Sequence, residues 1–287
     1  MPRVAATLLT RNRAELLRQA VRAVLAQERP ADAVIVVDNA STDGTLEMLS
    51  EEFPEVTVVA LAENQGATGG FYEAIAAGLR TGADWLWLLD DDSFARPDAL
   101  AELLEALRRA DDAPPAVLAS HVVWKDGEPH PMNLPVVRPD DGQQLADGLK
   151  LGLLPIRAAS WVSLFLSREA VERAGMPLRQ FFYQADDIEY TARILRDSRG
   201  YYVPRSVVEH STPTKHTAVD DDHRFHYHTR NTLLMIRGRA WERREKAGLW
   251  AVFVWTTLRY LRINRLRPRS VRNLLGGIVA GLRTPPD

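Results

Sequence analysis

A chain of 287 residues with 46% hydrophobic and 26% charged content can bury one large α/β core or two small ones, which excludes a disordered or low-complexity protein. It has no cysteine, so disulfide frameworks, thiolate zinc sites and cysteine nucleophiles are excluded as well. Net charge is −2, yet residues 224–287 hold 14 Lys and Arg against three acids, a balance of +11 that leaves −13 on residues 1–223.

The opening Met1-Pro2-Arg3 leads into an apolar run at 4–9 that is too short and too strand-like for a signal peptide. No stretch reaches the roughly eighteen apolar residues of a spanning helix, so a cytoplasmic protein is expected. Residues 4–9 read as the first strand and Thr10-Arg11-Asn12-Arg13 as a polar turn; Leu16, Leu17, Ala20, Val21 and Val24 follow at helical spacing. A second strand at 33–37 ends at Asp38-Asn39, and Ser41–Thr45 offers N-cap chemistry before a helix at 46–52. A third strand at 56–61 gives way to a glycine-containing loop, Asn64–Gly70, before a helix carrying Phe71, Ile75 and Leu79. The fourth strand, 84–89, is five consecutive apolar residues long from Trp85 to Leu89, the mark of a strand buried on both faces. It stops at Asp90-Asp91-Asp92, ahead of a helix at 97–107. Strands alternating with helices imply a doubly wound, mostly parallel α/β sheet.

Beyond residue 115 the pattern changes. A strand is expected at 117–124, a loop or lid over the site at 125–154, a strand at 158–166, and short strands at 201–204 and 206–209 ending at His210. Asp186-Asp187-x-Glu189 opens a helix directly after Phe181-Phe182-Tyr183.

The polar ends of the first four strands fall on one edge of such a sheet, where a nucleotide is held. Three adjacent carboxylates repel one another and are costly to bury without a cation, and a hard divalent ion prefers such oxygens. An acidic strand-to-helix loop is the plainer explanation for the three aspartates, as helix capping is for Asp186 and Asp187. Neither a dinucleotide-binding glycine motif, a P-loop nor a Gly-x-Ser-x-Gly elbow occurs.

Taken in order, Thr10–Arg13, Val36–Thr45, Glu63-Asn64-x-Gly66-x-x-Gly69-Gly70-Phe71, Leu88–Asp92, Asp186-Asp187-x-Glu189 and His210 resemble the family 2 glycosyltransferases, inverting enzymes of the A-type nucleotide-sugar fold. The aromatic pair ahead of Asp186-Asp187 is most similar to the bacterial galactofuranosyltransferases, with the rhamnosyltransferases, which use dTDP-rhamnose, as the alternative. The resemblance implies a domain over residues 1–223 that transfers galactofuranose from UDP-galactofuranose to a glycan or lipid-linked acceptor in cell-envelope polysaccharide synthesis. It implies Mn²⁺ or Mg²⁺ held by Asp92 and His210, and a donor site made by Thr10, Arg11, Asn12, Asp38, Asn64, Gly69, Gly70, Asp90 and Asp91. By the same resemblance Asp187 is the catalytic base, with Trp161, Phe182, Asp186 and Glu189 around the acceptor. A nucleotidyltransferase and a non-catalytic carbohydrate-binding protein are the readings from other classes.

Residues 224–287 form a basic helical tail, in which apolar 248–258 is flanked by arginines. Two readings stay open: a helix lying on an anionic membrane surface, peripheral to the inner face, or a helix pair packing on the domain or in a homo-oligomer. No nucleic-acid-binding module is recognisable, and no nucleic-acid partner is expected.

Overall fold

The computed structural model describes residues 1–110, 113–138, 141–215 and 224–286. The expected domain boundary at 223 falls on the edge of residues outside that description. Strands β1 (Val4–Thr10), β2 (Ala33–Asp38), β3 (Thr57–Ala60) and β4 (Trp85–Asp90) lie in the order β3-β2-β1-β4, all parallel. Beyond β4 come β9 (Leu164–Ser167), β6 (Val117–Val123), β10 (Gly200–His210), β8 (Leu154–Ala158) and β7 (Val136–Val137), while β5 (Ser93–Ala95) pairs with β10 outside this path. Among the described residues the result is a mostly parallel mixed sheet of ten strands.

Alternation along β4 explains its apolar run: Trp85, Trp87 and Leu89 enter the core on one face, and Leu86 and Leu88 the core on the other. Helices α1 (Ala14–Leu25), α2 (Thr45–Glu52) and α4 (Ala99–Arg109) cover the first face. Helices α3 (Gly66–Arg80), α6 (Arg168–Ala174) and α7 (Asp186–Ile194) cover the second.

Several expectations need correction. The stretch 125–154 is not one loop: it contains a 3₁₀ turn at Pro131–Asn133, β7 and helix α5 (Gly142–Leu151). Asp141 caps α5 by accepting from the Gln144 N–H at 2.9 Å, and Gly152 closes it at φ +70°. The single strand expected at 158–166 is two, β8 and β9, separated by a turn that contains Trp161 and places Ser163 at φ +53°. Helix α3 starts at Gly66, so the glycines lie inside its first turns instead of in a loop. Gly66 has φ +73°, and a Cβ there would collide with the Phe182 carbonyl; one on Gly70 would meet Leu9. Close approach of the helix start to the loop at Phe182 and to β1 is therefore one reason these positions are glycine.

The tail folds as α8 (Phe225–Arg237), α9 (Arg243–Ile263) and α10 (Pro268–Arg283). A capping box between Glu242 and Glu245 starts α9, and Glu245 pairs with buried Arg157 of β8 at 2.7 Å. Phe225 of α8 stacks on Tyr260 of α9 with ring centroids 3.5 Å apart. Among the described residues, no helix is long and apolar enough to cross a membrane.

Candidate active site

Register places the first polar residues side by side. Thr10 lies opposite Asp38, and Leu9 opposite Asp90, so the ends of β2, β1 and β4 form one ledge. This is the edge at which an open α/β sheet holds its ligand. Asp38 is buried; its Oδ2 accepts from the Ser41 N–H at 3.0 Å, while its buried Oδ1 has no partner among the described residues. A buried acceptor without a partner is costly, so this oxygen suits an N–H group of a ligand. Asn12, at φ +53°, accepts from the Thr42 N–H at 2.7 Å and ties the turn after β1 to the one after β2. Asn64 is exposed, with its Oδ1 accepting from the Gly66 N–H at 3.0 Å.

The three aspartates do different things. Asp91 is held by Thr10 Oγ1 at 2.9 Å and by Arg13 Nη1 at 3.1 Å. Arg13 also reaches Asp92 at 2.8 Å, so one guanidinium compensates two of the acids. Burial pushes Asp91 up to about 6 despite Arg13. Burial and then repulsion from Asp92 and Asp91 push Asp90 well above the usual carboxylate range, although part of its surface stays exposed. Burial also acts upward on Asp92, but the hydrogen bond and charge of His210, then Arg13, outweigh it and hold this carboxyl low.

His210 ends β10, near where a strand was expected, but it is positioned by β5, which sequence reasoning missed. β5 pairs antiparallel with β10 in the register His210↔Ser93, which sets the imidazole beside Asp92. Its Nε2 lies 3.1 Å from Asp92 Oδ1, and Nδ1 lies 2.8 Å from Asn133 Oδ1. Because the Asn133 amide nitrogen donates to Ser160 at 2.9 Å, its oxygen is left to accept from Nδ1–H. With Nδ1 donating to Asn133, Nε2 faces the Asp92 carboxylate oxygen, a position that either a proton or a coordinated metal ion can fill. Asp90, Asp92 and His210 offer ligand atoms all within 4.8 Å of one another, a donor set that fits a hard or borderline divalent metal ion. The expected pair is thus joined by Asp90.

Asp187 opens α7 at the end of a distorted loop. Phe182, Gln184 and Ala185 have φ of +59°, +70° and +62°, which costs on the order of 1–3 kcal/mol for each non-glycine residue. The loop is held from outside by the fully buried Asn231 of α8, whose amide NH2 shares its two hydrogens among the carbonyls of Phe181 (3.0 Å), Tyr183 (2.7 Å) and Gln184 (2.7 Å). Arg230 donates to the Gln180 carbonyl at 2.8 Å. Burial, then repulsion from Asp186, raises the half-buried Asp187 carboxyl to about 7, and its charge in turn contributes to the rise at Asp90. Asp187 and the acids after β4 therefore share one electrostatic site.

The expected acceptor residues separate. Phe182 is half-buried and stacks with Tyr227. Trp161 is buried instead of presenting a stacking face: the turn before β9 folds its indole onto Phe71, centroids 4.6 Å apart, and its Nε1 donates to Asp186 at 2.9 Å. Glu189 is buried and pairs with Arg193 at 3.0 Å. Sequence reasoning assigned no role to Arg13, Asn133 or Asn231. Only Arg13 carried a signal, as a cation in the polar turn facing the acidic strand end.

Comparison with known proteins adds to this geometry. Residues 7–161 match the family described as Glycosyl transferase family 2. The galactofuranosyltransferase GlfT1 of Mycolicibacterium smegmatis is 29% identical over 200 residues, covering 67% of this chain and 65% of its own length. The chain thus spans just under two thirds of that relative. S. aureus TarS 1-349 in complex with UDP-GlcNAc superposes with a TM-score of 0.66 at 14% identity, covering 96% of this chain and 79% of that one. Mannosyltransferase PcManGT from Pyrobaculum calidifontis, in complex with GDP-Man and Mn²⁺, gives 0.58 at 21% identity, covering 98% and 76%. At these identities the two structures share the fold, that of the A-type nucleotide-sugar transferases.

Proposed function

The chain belongs to glycosyl transferase family 2, and on that premise we propose that it is a metal-dependent, inverting transferase moving galactofuranose from UDP-galactofuranose to a hydroxyl of a glycan or lipid-linked acceptor. The observation that carries this reading is the Asp90–Asp92–His210 cluster set beside a separate, raised carboxyl, Asp187, at the ligand edge of the sheet. The likeness to GlfT1 supports the choice of sugar.

In this reading the buried Oδ1 of Asp38 accepts an N–H of the uracil ring, with Thr10, Arg11 and Asn12 around it and Asn64 toward the ribose. Gly69 and Gly70 lie in the adjoining helix start, and Asp91 orients the donor. Asp92 and His210, with Asp90, hold Mn²⁺ or Mg²⁺. The ion supplies positive charge for the departing diphosphate. Asp187 accepts the proton of the acceptor hydroxyl while that oxygen bonds to the anomeric carbon and the bond to the diphosphate breaks, UDP leaving with the electron pair. One displacement inverts the anomeric centre. Phe182 borders the acceptor, while Trp161 positions Asp186 and Glu189 braces α7 from within.

A panel of nucleotide sugars offered with Mn²⁺ tests the donor. Transfer from UDP-galactofuranose is the expected result; transfer solely from dTDP-rhamnose replaces the sugar, and pyrophosphate release in place of UDP release replaces the reaction class.

Asn231 should matter without touching the substrate. Asn231→Ala removes the amide donor from the Tyr183 and Gln184 carbonyls of the base loop, while the Phe181 carbonyl keeps Arg230, and each lost hydrogen bond to a buried acceptor costs about 1–3 kcal/mol. Lower unfolding stability in denaturant is expected, together with a reduced kcat at unchanged UDP affinity. Parental kcat in a folded Asn231→Ala variant would remove the loop-holding role.

A further inference from the structure

We propose that the outer faces of α9 and α10 form a docking surface for an anionic lipid bilayer. Of the 19 large hydrophobic residues exposed among the described residues, 10 lie between Trp250 and Leu282, whereas soluble surfaces scatter such residues singly. On α9, Trp250, Val254, Trp255 and Leu258 recur at helical spacing with exposures of 47, 51, 58 and 63%. On α10, Leu275, Val279 and Leu282 repeat the pattern at 56, 46 and 57%. The opposite faces are already used: Phe253 and Tyr260 of α9 pack in the small cores shared with α8, and Cβ atoms on Gly277 or Gly281 of α10 would strike α8. The exposed stripes are what remains after the tail has packed on its own body.

Charge selects the occupant. Arg262, Arg265, Arg267 and Arg272 are exposed around the α9–α10 connection, within the region whose balance is +11. A second copy of this face would bring two strongly positive regions together, whereas an anionic bilayer complements them. Neither helix can span, so both would lie in the headgroup layer with tryptophans and leucines inserted and arginines at the phosphates.

The surface is also tied to the loop ahead of Asp187. Gln180 donates to the Pro285 carbonyl at 2.8 Å, Arg237 of α8 to the Thr284 carbonyl at 2.9 Å, and Asn231 of the same helix holds the loop. Seating the tail on a membrane would thus bring that loop toward the bilayer, where a lipid-linked acceptor resides. This last consequence rests on the transfer reading; lipid docking does not.

The test is co-sedimentation of the full chain with vesicles of phosphatidylcholine alone or mixed with phosphatidylglycerol, at low and high salt, beside a sizing column. Binding is expected with phosphatidylglycerol, weakened by salt, and roughly tenfold or more weaker after Arg262→Glu with Arg265→Glu. Trp250→Ser with Trp255→Ser should also release the protein, and transfer to a short soluble acceptor should persist in both variants. Failure of the intact protein to pellet with anionic vesicles, or equal binding to neutral ones unaffected by salt, overturns the proposal. So does a dimer on the column that the tryptophan variant dissolves while vesicles are ignored. Loss of transfer with docking intact would count against the catalytic reading alone.

Discussion

Asp187→Asn is expected to lower transfer by about 10²–10⁴-fold, the usual cost of losing a general base, while UDP and metal affinity stay close to parental. The separation follows from the proposed role, since this carboxylate acts on the acceptor and the nucleotide rests on other strands. Its environment adds a pH signature. Burial, then Asp186, raises the carboxyl to about 7, so turnover should climb as pH rises through that value and level off above it, and the variant should lack the step. The linked stability runs the other way. A carboxyl whose folded value is raised keeps its proton longer in the folded chain, so its stabilising contribution is full below the ordinary 3.8 and is lost as pH rises through about 7. Rate–pH profiles and chemical unfolding of both proteins measure the two effects. Near-parental turnover in the variant would pass the base role to Asp186 or Glu189, which hydrogen-bond Trp161 and Arg193.

Asp92→Asn is the second large effect expected. Asp92 is the carboxyl that His210 and Arg13 hold ionised, and it lies 3.1 Å from the His210 Nε2. Removing its charge should cut metal affinity measured calorimetrically with UDP present. Metal stabilisation of a leaving group is worth several kcal/mol and each ~1.4 kcal/mol is tenfold in rate, so transfer should fall on the order of 10²-fold or more. A chelator should silence the parental protein, and Mn²⁺ or Mg²⁺ should restore it. Full transfer in chelator, or parental metal affinity in the variant, would defeat the assignment to Asp92.

Four parallel strands in the first ninety residues and the ledge of their polar ends were legible in the sequence, though not the order in which the strands lie. Both follow from local causes: Trp85–Leu89 must be buried on both faces, and three carboxylates cannot continue such a strand. It also marked Asp187 and His210 as reactive types in suitable places. Tertiary structure decided which groups meet. Pairing of Ser93 with His210 across β5 and β10 spans more than a hundred residues, and no local periodicity records it. Arg13 was visible as a charge, but its sharing between Asp91 and Asp92 depends on the β1–β4 register. Asn133 holds the His210 ring at Nδ1 from a turn inside a stretch whose glycines, prolines and aspartates read as a loop. Asn231 faces carbonyls that exist as a cluster only once residues 181–184 have folded. Trp161 turned inward because the chain breaks between β8 and β9, where an apolar run looked like one continuous strand. Burial and charge compensation are paid for by partners distant in sequence, so a residue's type announces its chemistry while only the fold supplies the neighbour that tunes it.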